Sequence, residues 1–214
     1  MAKVHFVYSF ASDPKEARAL TRAGYTGSIA IGGLVAKFYD FSQHSVLLDL
    51  GGGSGALSIA AARRYSRLKA IVFDLPAVTE VAREFIQKEA LSDRISTHDG
   101  DFHKDTLPGG ADVILNAGNM HAYGSDNAKR LLRRSFDALP SGGGMIVIDQ
   151  MLNKDRSGPL IPALYALVQK FYSDESRTHS IVEVSDYLAE AGFRVEGSRE
   201  LLAEQMWMVW ARKP

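Results

Sequence analysis

The stretch Leu48-Asp49-Leu50-Gly51-Gly52-Gly53-Ser54-Gly55, followed later by Asp74, has the residue types of a nucleotide pocket. Glycine has no Cβ, so a run of glycines lets the backbone approach a ligand closely. Ala56 to Tyr65 reads as a helix, and the first N–H groups of a helix are free to meet a ligand. Asp74 closes the apolar run Ala70-Ile71-Val72-Phe73, and a carboxylate there can accept two hydrogen bonds from vicinal ribose hydroxyls. The loop alone admits more than one ligand. Gly51-x-Gly53-x-x-Ala56 also satisfies the dinucleotide pattern with alanine in its last place, and a pyrophosphate would be anchored by the helix dipole. Asp49 favours a different ligand: its carboxylate repels a phosphate but helps to hold a cationic amino-acid group. S-adenosylmethionine carries such a group together with a ribose. A turn without a ligand is the remaining reading of the loop.

The elements that must position these residues form a regular series. Short apolar runs with β-branched members read as strands at Ser45–Leu50, Ala70–Phe73, Ile95–Thr97, Asp112–Leu115 and Met145–Ile148. Helices read between them at Ala56–Tyr65, Val78–Glu89 and Asp126–Ala138. Such alternation predicts an α/β fold, a mostly parallel sheet with helices on both faces. Ligands of such sheets sit beyond the carboxyl ends of the strands. Asp49, Asp74, Asp101, the stretch Asn116 to His121, and Asp149 all fall at or just past strand ends. After Asp149 the pattern changes. Leu160 to Tyr172 reads as an apolar helix, and Ser180-Ile-Val-Glu183 has capping-box spacing before a helix that ends near Gly192. Phe193–Val195 and Met206–Ala211 read as an antiparallel edge hairpin. Ahead of the first strand, two helical stretches are expected, about Pro14–Arg22 and Ser28–Tyr39.

Composition narrows the classes of function. Two hundred and fourteen residues make one large domain, or one domain with an appendage, and bury an ample core. Twenty-five basic and 25 acidic side chains balance, which gives no electrostatic case for nucleic acid or an acidic membrane. The absence of cysteine excludes disulfides, thiolate nucleophiles and cysteine zinc sites, and fits a cytoplasmic protein. No metal site is expected. The apolar cluster Val4 to Phe10 is too short for a signal sequence, and nothing approaches the length of a transmembrane helix.

From about residue 18 onward the chain resembles the catalytic domain of the S-adenosylmethionine-dependent small-molecule O-methyltransferases, the caffeate, acetylserotonin and bacterial polyketide type. The resemblance rests on Leu48 to Gly55, Phe73-Asp74-Leu75-Pro76, Gly100-Asp101-Phe102, Leu107-Pro108, Ala111 to Leu115, His121, Ala138-Leu139-Pro140-x-Gly142-Gly143 and Ala189-x-Ala191-Gly192-Phe193, in that order and spacing. It implies a Rossmann-like class I methyltransferase sheet with an antiparallel edge hairpin, over residues 41–214, behind an N-terminal helical remnant at residues 1–40. It implies S-adenosyl-L-methionine as cofactor. Gly51 with Asp49 and Gly53 would meet the methionine moiety, Asp74 with Leu75 the ribose, and Asp101 with Phe102 the adenine; Asn116 would lie near the cofactor. It implies His121 as general base toward a hydroxyl of a small aromatic acceptor, with Asp149 orienting the imidazole; the alternative is the same fold and cofactor without methylation, as a diverted enzyme or as a cofactor-binding regulatory subunit of a partner chain. A neutral imidazole titrating near 6.5 suits the removal of a phenolic proton.

The chain departs from the family pattern at several places. Ala122-Tyr123 follow His121 where Asp-Trp is usual, Ala117 stands where a lysine is common, and Ser176 takes a glutamate position. Family members carry an N-terminal helical domain that dimerises and closes over the acceptor; here only its last helix or two would remain. The expectation is therefore a homodimer or a complex with a second chain, through the apolar faces of Ala30–Tyr39 and Leu160–Tyr172. Tyr25, Tyr123, Tyr165 and Phe171 are aromatic candidates for the acceptor pocket.

Overall fold

The computed structural model describes residues 13–172 and 174–214, apart from the side chains of Phe171 and Tyr172. The cluster Val4 to Phe10 lies outside the described residues, as does the Phe171 side chain expected at the pocket. Seven strands form one mixed sheet in the order β3-β2-β1-β4-β5-β7-β6. The described residues divide into two compact units, one ending at Leu115 and the other running from Asn116 to Pro214.

In the first unit, β1 (Val46–Leu50), β2 (Lys69–Asp74) and β3 (Ile95–Asp99) run parallel. Their register pairs Asp49 with Val72 and Asp74 with Asp99, so the acidic strand ends share one edge. Leu47, Leu48, Leu50, Val72 and Phe73 are buried, which the unbroken apolar runs require of strands covered on both faces. Helix α2 (Ala56–Arg64) buries Ala56, Leu57, Ile59, Ala60, Ala61 and Ala62. Helix α3 (Pro76–Lys88) starts on a proline, whose fixed φ suits the first helical position.

The two N-terminal helices expected from the sequence are one helix, α1 (Pro14–Phe38), of 25 residues. Asp13 caps it, accepting from Lys15 N at 2.9 Å and Glu16 N at 3.4 Å. Each interior glycine costs a helix about 1 kcal/mol relative to alanine, which is why Gly24 and Gly27 read as a break. Packing offsets that cost. The Gly32 backbone lies so close to α2 that a Cβ would stand 2.8 Å from Ala60 Cβ and 3.0 Å from Leu57 Cα. Arg18 bridges to Glu80 at 2.6 Å and Glu84 at 2.9 Å on α3, and Arg22 also pairs with Glu84. The Tyr25 ring stacks on Phe85 with centroids 3.8 Å apart, and its hydroxyl donates to Glu89. Tyr25 is thus spent on holding α1 to α3, not available as a pocket wall.

In the second unit, β4 (Val113–Ala117) ends at residues 116 and 117, and helix α4 (Ser125–Ala138) leads to β5 (Gly144–Asp149). The terminal hairpin is as expected: β7 (Met206–Arg212) pairs antiparallel with β5 and with β6 (Arg194–Leu202). β6 is nine residues long, well past the Val195 where the apolar pattern ends. An edge strand meets a neighbour on one side only, so its polar residues Glu196 to Glu200 stay in water. Helix α6 (Ile181–Glu190) carries the expected capping box, with Ser180 and Glu183 each bonding the other's backbone. Helix α5 (Leu160–Tyr172) exposes Leu160, Ile161, Leu164, Leu167 and Val168.

The Gly32 seam makes a paired prediction. Gly32→Val should destabilise the protein by about 1–3 kcal/mol through overpacking against α2. Gly33→Ala should stabilise it by about 0.4–1 kcal/mol, because no heavy atom lies within 4 Å of that Cβ. Urea unfolding of both variants measures the difference; equal midpoints would contradict the close approach.

Candidate active site

The glycine loop takes its shape from three left-handed residues, Gly51 at φ 65°, Gly53 at φ 57° and Gly55 at φ 73°. Side chains rarely adopt that region, which accounts for this spacing of glycines. Gly51 N donates to Phe73 O at 2.8 Å, so the loop folds back over the end of β2. Asp74 completes the turn. Its Oδ2 accepts from Gly53 N at 2.9 Å and its Oδ1 from Leu75 N at 2.7 Å. Each carboxylate oxygen has two lone pairs, so both retain one for a ligand. Burial pushes the Asp74 carboxyl up to about 6, and Asp101 nearby adds to the rise. Leu75 is half-buried as the residue preceding α3.

Asp49 lies underneath the loop. It is buried, and a Cβ on Gly52 would stand 2.8 Å from its Cγ. Ser58 Oγ donates to Asp49 Oδ2 at 2.8 Å. Burial first, and the Asp74 charge second, push its carboxyl up to about 6. Asp101 stands in a separate turn, tied to β2 by Gly100 N donating to Asp74 O at 2.9 Å. Burial raises the Asp101 carboxyl, but Lys104 at 2.9 Å and the His103 N–H outweigh it and hold it below the usual range. Phe102 is buried, with its ring 4.4 Å from that of His103. Asn116 is fully buried at the end of β4, in the second unit.

The second unit brings His121 and Asp149 together. His121 lies in a short 3-10 turn, Met120–Ala122, just past β4, and Asp149 ends β5. The Asp149 carboxylate holds the histidine twice. Oδ2 accepts from His121 N at 3.0 Å, and Oδ1 lies 2.9 Å from Nδ1. Gln150 N also donates to Oδ1 at 2.8 Å. A carboxylate only accepts, so Nδ1 carries the ring proton and Nε2 presents its lone pair. Burial pushes the His121 imidazole down, but Asp149's charge and hydrogen bond outweigh it and raise it above its ordinary value.

Tyr165 of α5 is the site residue whose role the sequence hides. Its hydroxyl lies 3.0 Å from His121 Nε2, and the rings pack edge to face with centroids 4.9 Å apart. Burial, then Asp149's charge, push the phenol up to about 12, so it remains a donor. It is one aromatic among the apolar residues of Leu160 to Tyr172, and nothing in its local pattern marks it. Tyr123 acts through its carbonyl, which accepts from the His179 ring at 3.0 Å. Ser176 is buried, and the next residue props the histidine turn, Arg177 N donating to His121 O at 2.9 Å. Among the described residues no group of three or more His, Cys, Asp or Glu could hold a metal ion, and no helix is long and apolar enough to cross a membrane.

A carboxylate-braced imidazole has the chemistry of a general base, and a glycine loop folded over an aspartate has that of a nucleoside cradle. A family profile described as an O-methyltransferase domain matches residues 4–194. The chain belongs to this family. It is 40% identical over 164 residues to acetylserotonin O-methyltransferase of Bos taurus, covering 76% of this chain and 46% of that protein. It is 31% identical over 182 residues to the tetracenomycin polyketide synthesis 8-O-methyl transferase TcmO of Streptomyces glaucescens, covering 85% and 53%. The crystal structure of human N-acetylserotonin methyltransferase in complex with SAM superposes with a TM-score of 0.87 at 28% identity, over 100% of this chain and 60% of that one. The chain spans about half the length of the curated relatives it matches.

Asp49 supplies a test of the electrostatics. Its folded value of about 6 stands above the unfolded value of about 3.9, so the folded state gains stability as pH falls toward 4 and loses it as pH rises through 6. Asp49→Asn should therefore stabilise the unliganded protein by up to about 2–3 kcal/mol at pH 8, with the gain fading by pH 4. Denaturant unfolding across that range reads it; a gain independent of pH would refute the assignment.

Proposed function

We propose that this chain binds S-adenosyl-L-methionine and transfers its methyl group to a hydroxyl of a small aromatic molecule. The observation that carries the reading is His121 clamped by Asp149 in a chain of the O-methyltransferase domain family. The names of the bovine and Streptomyces relatives support acceptors that are aromatic or polyketide hydroxyl compounds.

The loop fits the cofactor on its own geometry. Gly53 has nothing within 4 Å of its Cβ position, which leaves room for a ligand against the backbone. In this reading Asp74 accepts the ribose hydroxyls with the lone pairs it keeps, while Gly53 N and Leu75 N fix its orientation. Asp49 and Asp74 balance the cofactor's positive charge. Phe102 walls the adenine side, and Gly51 completes the cradle. When bound, S-adenosylmethionine supplies an electrophilic methyl group on a sulfonium that departs as a neutral thioether, so no acid is needed.

His121 does the proton chemistry. A phenol titrates near 10 and is mostly protonated at neutral pH. As its oxygen bonds the methyl group, the proton passes to His121 Nε2, and the S–CH3 bonding pair stays on sulfur. Asp149 holds Nδ1–H and stabilises the imidazolium that results. The neutral ring is the active form, so the rate rises with pH through the His121 value, which Asp149 places above the ordinary 6.5.

Two variants test the reading. Asp74→Ala should weaken S-adenosylmethionine binding by roughly one to two orders of magnitude in calorimetric titration, from loss of about 1.5–3 kcal/mol of charge-assisted hydrogen bonding; unchanged affinity would sink the ribose assignment. His121→Gln should keep cofactor affinity and slow single-turnover methyl transfer about 10²–10⁴-fold. Asp149→Asn should cost less and move the pH–rate midpoint downward, since the raising charge is gone. Wild-type turnover by His121→Gln would mean that proximity alone carries the reaction.

A further inference from the structure

The nitrogen on which the reaction depends is already engaged. Nδ1 of His121 is committed to Asp149, so the lone pair of the neutral ring is on Nε2. Tyr165 Oη lies 3.0 Å from that atom. An imidazole nitrogen has one lone pair, so the tyrosine hydroxyl donates and leaves Nε2 no capacity for a second donor. The contact is one phenol on one imidazole, the same pairing that an acceptor phenol must make.

We infer that Tyr165 is the gating residue of the acceptor site: its phenol holds His121 Nε2 until an acceptor phenol displaces it. This rests on the reading of His121 as general base.

Several features agree with an exchange of phenols. An acceptor oxygen must come within hydrogen-bond reach of the nitrogen that Tyr165 Oη holds at 3.0 Å, so the two cannot be bonded to it together. The edge-to-face packing at 76° shows the orientation in which an aromatic ring reaches Nε2. An aliphatic alcohol would displace Tyr165 without restoring that ring contact, whereas a phenol restores both. The gate therefore selects for aromatic hydroxyl acceptors. Among the described residues, the charged and titratable groups around His121 are Asp149 at the end of β5, Tyr165 on α5, Arg177 before α6, held by its backbone N–H to His121 O, and His179, whose ring bonds Tyr123 O. Asp149 favours the charged ring, and the Tyr165 hydroxyl favours the neutral one.

The variant Tyr165→Phe keeps the ring and removes the donor. With phenol itself as the probe, titrated into the full chain in the presence of S-adenosylhomocysteine, binding should tighten about 2–10-fold, the worth of one lost competing hydrogen bond. In 15N NMR the His121 imidazole should titrate at higher pH in the variant, because the donor to its neutral form is gone. In turnover with the bovine relative's acceptor, N-acetylserotonin, kcat/KM should rise by the same factor through KM. A kcat that falls tenfold or more with KM unchanged would mean that Tyr165 relays the proton, and would overturn the gate. So would unchanged phenol affinity with an unmoved His121 titration. His121→Gln separates the two levels: wild-type transfer by that variant refutes the base, whereas loss of transfer there with unchanged phenol binding by Tyr165→Phe refutes the gate alone.

Discussion

A carboxylate removed from water must have its oxygens hydrogen-bonded, and the aspartates at the strand ends meet that need with loop backbone. Asp74 takes Gly53 N and Leu75 N, Asp149 takes His121 N and Gln150 N, and Asp112 takes Ser45 N and Val46 N. Asp74 and Asp149 thereby hold a loop in one geometry, and Asp112 ties down the start of β1. The glycine loop and the histidine turn are consequences of these clamps. Asp49 is met by Ser58 of α2 instead of by a loop, and like Asp74 its carboxyl is pushed by burial up to about 6. Tolerance of that burial is understandable if a cationic ligand offsets it when bound.

Among the described residues Asp, His and Tyr occur together twice, and one of the two sets has the position for chemistry. Tyr39 Oη lies 2.9 Å from His44 Nε2, and His44 Nδ1 lies 3.6 Å from Asp112 Oδ1. Tyr39 and His44 are both buried, and Asp112 precedes β4 while His44 precedes β1, at the amino ends of the strands. That set ties the start of β1 to the end of α1 and meets no ligand edge. In the Asp149 set the histidine follows β4 and the aspartate ends β5, at the carboxyl ends. An Asp–His–Tyr cluster is therefore not by itself a site; its place on the sheet decides.

What the sequence made legible was local. Strand runs, the glycine loop, the capping box and the aspartates at strand ends follow from composition over a few residues, and the elements agree to within one or two residues. The N-terminal helix and β6 were misread because distant packing overrode local preference: α2 accepts the close approach of Gly32, and an edge position tolerates Glu196 to Glu200. Tyr25 and Tyr165 were both plausible pocket aromatics. Tyr25 stacks on Phe85, 60 positions away, and Tyr165 bonds His121, 44 positions away. No spacing rule reaches across such separations, so the roles of these two tyrosines were invisible until the chain was folded.

The departures from the family pattern acquire a physical meaning in this geometry. Where a glutamate is usual the chain has Ser176, yet the backbone around it still supports the histidine: Arg177 N bonds His121 O, and the His179 ring bonds Tyr123 O. Burial pushes the His179 imidazole down, which favours the neutral ring, and that ring serves as a strut beside His121. The architecture of the turn is therefore independent of the lost carboxylate. The electrostatics are not, because the upward push on His121 comes from Asp149 alone, working against burial. A phenol on Nε2 opposes that push, since it favours the neutral ring. The His121 imidazole is thus poised between one anion and one hydroxyl, and removing the one or the other should move its titration in opposite directions.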